Sequence, residues 1–249
     1  MRESVSEQII LRYNGVIMRK STDNADVAII VPAFEEGEAI KATIDAIPAK
    51  FKTIICVDDG STDDTAKQIA KTRATLVRHP LNLGQGAALQ TGIEYALLNP
   101  NVEYFVTYDA DGQHRMEDVE KMLTYIRKHE AEIVLGSRFL GKAENISQLK
   151  RVILKLAVKF SNASTGIKLT DAHNGLRVFN RKVAKGLKLQ MADFAHASEI
   201  IHRIAEKEYK FVELPVTIIY TDYSRRKGQS VINAVNIGFD VMIRRLTGK

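Results

Sequence analysis

Two rhythms alternate along the first half of the chain. Short unbroken apolar runs read as buried strands: VAIIVP (27–32), TIICVD (53–58), TLVRH (75–79), YFVTYD (104–109) and EIVLGS (132–137). Between them lie stretches with helical spacing, over about 36–47, from GSTDDTAKQIAK (60–71), over 86–98 and over 116–128. Ser61 is a good N-cap for the second of these, with Asp64 at the capping-box position. Strands that alternate with helices predict an α/β fold, a mostly parallel sheet covered by helices on both faces. In such sheets ligands bind beyond the carboxyl ends of the strands. DDGS closes the second strand and DAD closes the fourth, so the acidic pieces fall where a site belongs.

After Ser137 the rhythm changes. ISQLKRVILKLAVKFSNAS (146–164) predicts a basic amphipathic helix, with Val152, Leu156 and Lys159 or Phe160 in helical period and lysines between them. LRVFN (176–180) predicts a strand, ASEIIHRIAEKE (197–208) a helix, and KFVELPVTIIYTD (210–222) a strand broken by a proline. TDYSRRKGQS (221–230) reads as a loop. The last segment, 230–249, predicts a helix with a wide apolar face and a basic end. No linker, low-complexity tract or internal repeat interrupts the chain.

Composition narrows this picture. An apolar fraction of 45% with mixed charge is that of a soluble globular domain. No apolar run reaches about 18 residues, so no transmembrane helix is expected. The N-terminal residues lack the apolar core of a signal peptide, which makes the cytoplasm the expected address. Cys56 stands alone among apolar neighbours and reads as a buried packing thiol in a reducing compartment. The net charge is +6, and between Lys142 and Lys188 only Glu144 and Asp171 oppose a long series of lysines and arginines. That stretch suits phosphates or an anionic membrane. Nucleic acid is not expected, because aromatic residues do not interleave with the basic run as stacking sites require.

Four pieces carry candidate chemistry. In a strand, residues i and i+2 share a face, so Asp109 and Asp111 are expected side by side, repelling each other unless a cation intervenes. Mg²⁺ or Mn²⁺ accepts such carboxylates together with substrate phosphates; Gln113 and His114 are further candidate ligands. Asp58 and Asp59 end a buried strand, where a carboxylate can accept hydrogen bonds from a nucleobase, while Gly60, Ser61 and Thr62 suit turn and cap roles. In NLGQGAALQTG (82–92) the glycines permit close backbone approach ahead of a helix N-terminus that favours anions. It is neither a P-loop nor a dinucleotide fingerprint. Arg225, Arg226 and Lys227 form a basic trio, and arginine offers phosphate a bidentate fork.

Taken in order, VPAFEEGEAI, VDDGSTDDT, NLGQGAALQTGI, DADGQH, GSRF, TDAHNGLRVF and YSRRKGQS resemble the family 2 glycosyltransferases with a GT-A fold, over about 27–230. DADGQH, GSRF and the Arg225, Gly228, Ser230 pattern are most similar to the branch of dolichol-phosphate mannose synthases and bacterial polyprenyl-phosphate glycosyltransferases. The resemblance implies one GT-A domain over 1–249, with a nucleotide-sugar half over about 25–137 and an acceptor half over about 138–249. It implies that Pro32, Phe34, Glu36, Asp58, Asp59, Gly86 and Ala110 line the nucleotide pocket. Asp109, Asp111 and Gln113 would hold Mg²⁺ or Mn²⁺ and the diphosphate of a UDP-, GDP- or dTDP-sugar. Arg138, Arg151, Arg177, Glu199 and Ser230 would meet the acceptor side, and Arg225 and Ser230 would close over the diphosphate. The acceptor would be a polyprenyl phosphate or a lipid-linked glycan of the cell envelope, and transfer would invert the anomeric centre.

The chain departs from the family pattern where Phe34-Glu35-Glu36 replaces Tyr-Asn-Glu, where Gln85 replaces the lysine between two glycines, and where the chain stops at Lys249 although many relatives continue into transmembrane helices. The segments 149–160 and 231–246 instead mix apolar faces with Lys or Arg, as helices lying peripherally on the inner face of a membrane do. A hydroxyl acceptor needs a general base, and Asp171, Asp193 and Glu199 are candidates, with Asp171 first for membership of the site. Two other readings stay open: a nucleotidyltransferase with a similar sheet, and a non-catalytic membrane-surface module. Oligomeric state is also left open.

Overall fold

The computed structural model describes residues 10–13, 16–19, 24–191 and 195–227. Its centre is a seven-stranded sheet. In chain order the strands are β3 (Val27–Ala33), β4 (Thr53–Asp58), β5 (Thr75–Arg78), β6 (Tyr104–Thr107), β7 (Ile133–Glu144), β8 (Arg177–Asn180) and β9 (Phe211–Ile219). They lie in the order β5-β4-β3-β6-β8-β7-β9. Every neighbouring pair is parallel except the two that involve β8. A separate antiparallel pair, β1 (Ile10–Tyr13) and β2 (Val16–Arg19), precedes the sheet; the apolar pattern had not marked it.

The unbroken apolar run of β3 is explained by its central position. Val27, Ile29, Val31 and Ala33 pack on one face with α1 (Ile40–Asp45), α2 (Thr65–Ile69) and α4 (Met116–Lys128). Ala28 and Ile30 pack on the other with α3 (Gln85–Leu97), α6 (Arg181–Gly186) and α7 (Ala195–Glu206). Both faces are dry, so alternation disappears from the sequence. Each fully buried Ile or Val adds about 1.5–3 kcal/mol relative to exposure. Gly92 lets α3 lie close on the strand, since a Cβ there would stand 2.4 Å from Ile30 Cγ2. Cys56 is buried on the opposite face, with α1, α2 and α4, and burial pushes its thiol up.

The direction of β8 matters most for the site. Its first residue, Arg177, pairs with Thr107 at the end of β6 and with Leu135 in β7. Because β8 runs antiparallel to β6, the turn that precedes it lies at the same edge as the carboxyl end of β6. LRVFN showed a strand but carried no sign of this reversal.

Several local expectations are corrected. β6 ends at Thr107, so Asp109 and Asp111 sit in the turn beyond it and are not related by strand alternation. Ser61 does not cap α2; its Oγ accepts the Glu35 N–H at 2.9 Å. Asp63 takes the capping role, accepting from Thr65 N at 2.9 Å and bracing Gly37 N at 3.0 Å. The helix expected over 36–47 is shorter, because the Glu36 and Gly37 N–H groups are held by Thr65 and Asp63. Residues 222–227, read as loop, form α8 (Asp222–Lys227), and RKVAKG, unassigned from the sequence, forms α6 with Asn180 as its N-cap.

The predicted basic amphipathic helix is α5 (Gln148–Thr165). The Ser147 side chain caps its start by accepting from Lys150 N at 3.2 Å, and Gly166, at φ 74°, ends it in the left-handed conformation that glycine tolerates. Its Val158 is buried, while its Leu149, Val152, Leu156 and Phe160 remain exposed in one stripe. No helix among the described residues is long and apolar enough to cross a membrane. The final segment, 230–249, lies outside the described residues.

Candidate active site

The turn after β6 is built to hold two carboxylates still. Thr43 Oγ1 donates to the Ala110 carbonyl at 2.8 Å, and Tyr108 Oη donates to the His114 carbonyl at 2.7 Å. Gly112 takes φ +71°, which reverses the chain between the aspartate pair and Gln113. Gln113 folds back on Asp111: its N–H reaches Oδ1 at 3.1 Å and its Nε2 reaches Oδ2 at 2.6 Å. Asp109 Oδ2 lies 2.8 Å from His114 Nε2, and Asp109 Oδ1 lies 3.5 Å from Gln85 Nε2 at the start of α3. Gln85 thus reaches the same carboxylate from a neutral amide.

The two aspartates are electrically unlike. Burial opposes the charge on Asp109, but His114 and then Arg177 outweigh it and hold its carboxyl below the usual range. Burial and the charge of Asp109 push Asp111 up to about 6. Asp111 is therefore a carboxylate held against its own ionisation, and a cation beside it would relieve that.

The residues expected around a nucleotide are spread over the adjoining strand ends. Pro32 is buried in β3, opposite Val57. Phe34 is exposed, and Glu36 is buried with its Oε2 accepting from Tyr223 Oη at 2.6 Å. Glu35, in the place of asparagine, takes φ 54° and accepts from the Thr62 N–H and hydroxyl at 2.8 and 2.9 Å. Asp58 is fully buried, accepting from Ser61 N and facing Arg78 Nε at 3.0 Å. Asp59 was expected to meet a base. It is buried and accepts from Leu83 N, Gly84 N and the His79 ring. These bonds brace the glycine loop. Gly86 likewise faces protein: a Cβ would stand 2.1 Å from the Met191 carbonyl, so its glycine serves packing against the 190–191 strand of chain.

On the acceptor side the structure turns three expected contacts inward. Arg138 is only 8% exposed, and each of its nitrogens donates to protein: Nε to Asp171 at 2.6 Å, Nη1 to Tyr220 Oη at 2.7 Å, and Nη2 to the His173 carbonyl at 3.0 Å. Arg177 is 2% exposed; burial pushes its guanidinium down to about 10 against the attraction of Asp109 and Asp171. Glu199 accepts from Gln190 N and Met191 N and pairs with Arg203, so its carboxylate holds a loop. What opens to solvent beside Arg138 is a cleft of about 390 Å³ lined by Phe139, Lys142, Arg151 and Lys155. The Nε of Arg151 is buried there without a hydrogen-bond partner among the described residues. Arg225 lies in α8; Ser230 and Asp193 lie outside the described residues.

Sequence reasoning missed Thr43, Tyr220, Tyr223 and Gly175. Thr43 and Tyr220 are polar residues in apolar surroundings whose partners are distant in sequence, and no spacing announces them; Tyr223 heads the quoted YSRRKGQS, but its partner, Glu36, is distant in the chain. Gly175 stood within a quoted motif, TDAHNGLRVF, but its neighbour, Asp109, is found only in three dimensions.

Comparison with known proteins agrees with this architecture. The family model of Glycosyl transferase family 2 matches residues 28–187. An uncharacterized protein of Methanocaldococcus jannaschii is 34% identical over 96% of this chain and 99% of its own length. A UDP-N-acetylglucosamine–dolichyl-phosphate N-acetylglucosaminyltransferase of Methanococcus voltae is 30% identical over 88% of this chain and 94% of its own. Glucosyl-3-phosphoglycerate synthase from Mycobacterium tuberculosis, solved with Mn²⁺ and UDP-glucose, shares the GT-A fold at a TM-score of 0.62 and 15% identity, covering 78% of this chain and 70% of that one. The chain belongs to glycosyl transferase family 2. It is a glycosyltransferase, which sets aside the nucleotidyltransferase and non-catalytic readings, and it falls with the polyprenyl-phosphate branch expected from its motifs.

Proposed function

We propose that this protein is an inverting, metal-dependent glycosyltransferase that moves a sugar from a nucleotide diphosphate sugar to a polyprenyl phosphate at a membrane surface. The observation that carries the donor side is the held pair Asp109 and Asp111, with Asp111 pushed up to about 6. The donor set fits Mg²⁺ or Mn²⁺: both groups are hard oxygen ligands, and Gln113 already braces one of them. Among the described residues no three His, Cys, Asp or Glu side chains form a cage, which suits an ion whose coordination is completed by diphosphate oxygens. When bound, that ion would neutralise charge on the leaving diphosphate. Phe34 and Glu36 would flank the nucleoside.

The acceptor is read from which carboxylates are free. A hydroxyl nucleophile needs a base; of the three candidates, Asp171 is spent on Arg138 and Glu199 on the 190–191 backbone, and Asp193 lies outside the described residues. A phosphate oxygen is already anionic and needs none. It would attack the anomeric carbon as the bond to the diphosphate breaks, releasing the nucleoside diphosphate and leaving a glycosyl phosphate of inverted configuration. The basic cleft of Lys142, Arg151 and Lys155 is the favoured seat for that phosphate. Relatives named as undecaprenyl-phosphate mannosyltransferase and polyprenol monophosphomannose synthase support this class. A lipid-linked glycan is the alternative acceptor.

The donor is tested by thermal unfolding with UDP, GDP, dTDP and CDP, each with and without Mn²⁺. The matching nucleotide at about a hundredfold above its Kd should add about 2.7 kcal/mol, only with metal. The absence of any metal-dependent stabilisation at millimolar nucleotide would overturn the reading. Incubation of the matching nucleotide sugar with undecaprenyl phosphate should then yield nucleoside diphosphate and no pyrophosphate.

The membrane contact follows from α5. Its exposed stripe of Leu149, Val152, Leu156 and Phe160 runs beside Lys155 and Lys159, the arrangement of a helix lying in an anionic interface. Leu156→Glu with Phe160→Glu should reduce binding to vesicles containing anionic lipid by at least about tenfold, while leaving nucleotide binding intact. Equal sedimentation of variant and parent with vesicles would remove α5 as the contact.

A further inference from the structure

Glycine at position 175 is not explained by its backbone. Gly60, Gly84, Gly112 and Gly166 take positive φ; Gly175 does not. What it lacks is room. A Cβ there would stand 2.0 Å from Asp109 Oδ2 and 2.4 Å from Oδ1. The Gly175 carbonyl is pinned by Thr107 Oγ1 at 2.6 Å, two residues before Asp109, so the turn cannot retreat without losing that bond. From another side His114 Nε2 holds the same Oδ2 at 2.8 Å. Arg177, two residues on and buried, adds positive charge behind the carboxylate.

We propose that Gly175 is a positioning residue: the side chain it lacks is the recess that seats the Asp109 carboxylate, and His114 fixes its rotation within that recess. This rests on the reading of Asp109 and Asp111 as the metal-diphosphate ligands. A methyl group at 175 meets the free end of a short side chain on one side and a pinned backbone on its own. The carboxylate is the part that yields, turning away from His114, and the fold survives.

The experiment measures Mn²⁺ binding by electron paramagnetic resonance, in the presence of the stabilising nucleotide, for the parent and Gly175→Ala, with thermal unfolding of both in EDTA. Expected is Mn²⁺ binding weakened about 10- to 100-fold, as when a group orienting a metal ligand is removed, with an unchanged Tm in EDTA. His114→Gln, which removes the other restraint without adding bulk, should weaken Mn²⁺ in the same direction and decides the matter if Gly175→Ala does not fold. Parent-like Mn²⁺ binding in a folded Gly175→Ala, or in His114→Gln where that variant must decide, overturns the proposal while the donor site stands. If the parent itself takes up no Mn²⁺ with nucleotide, the donor-site reading fails and this inference falls with it.

Discussion

An Asp111→Asn variant should lose transfer activity by about 10³-fold or more and yet, without metal, unfold at a higher temperature than the parent. The loss follows if the pair neutralises the leaving diphosphate through a bound cation, a contribution of several kcal/mol at about 1.4 kcal/mol per factor of ten. The gain follows from electrostatics. Burial and Asp109 push Asp111 from an ordinary 3.8 up to about 6. Between those pH values the unfolded chain has released this proton and the folded protein has kept it. Stability therefore falls as pH rises from about 4 to about 6, and the loss persists above that.

Asparagine carries no charge to release, so the variant keeps what the parent gives up. Gln113 can turn its amide oxygen toward the new Nδ2 and preserve the contact it now makes at 2.6 Å. Because Asp111 is part-exposed, the gain is discounted to roughly 1–2 kcal/mol. Thermal unfolding in EDTA at pH 4.5 and pH 7.5 checks this: the gap between variant and parent should widen with pH. A gap that is the same at both values would show that Asp111 is not held against its charge. A site that costs stability when empty is the expected signature of carboxylates gathered for a ligand.

How much of this was legible in the sequence depended on how local the cause was. The strands of the first half were legible because burial on both faces writes an unbroken apolar run, as in 27–32. α4 was legible because its buried face repeats at helical spacing from Met116 to Ile126. The placement of DAD at a strand end was legible, but the argument that strand alternation sets its two side chains on one face was wrong: β6 stops at Thr107 and the turn, through Thr43 and Gly112, brings the carboxylates together. What the sequence did not carry was which way a polar side chain turns. Asp59, Arg138, Arg177 and Glu199 all belong to quoted motifs or basic runs, and all are directed into protein by partners between 8 and 82 residues away or by the reversal of β8. A motif names residues near a site; their hydrogen bonds divide those that meet a ligand from those that hold the ones that do.

Arg138 is the case with the largest consequence for stability. It joins β7 to the turn before β8 through Asp171 and to the end of β9 through Tyr220, and it is 8% exposed with Asp171 at 1%. Arg138→Met keeps much of the volume and removes the charge. Asp171 would then be buried with its remaining support from backbone N–H groups, a loss of about 3–5 kcal/mol, near a third of what a domain commonly has. If Arg138 instead served the acceptor alone, the same change would leave folding untouched and weaken only acceptor use. Urea unfolding of Arg138→Met, Asp171→Leu and the double variant separates the two. The double variant should recover most of the loss, because a buried pair replaced by apolar groups costs far less than a pair cut in half. Single and double variants with equal and small losses would return Arg138 to the acceptor cleft, beside Arg151 and Lys155, as a residue held in reserve for phosphate.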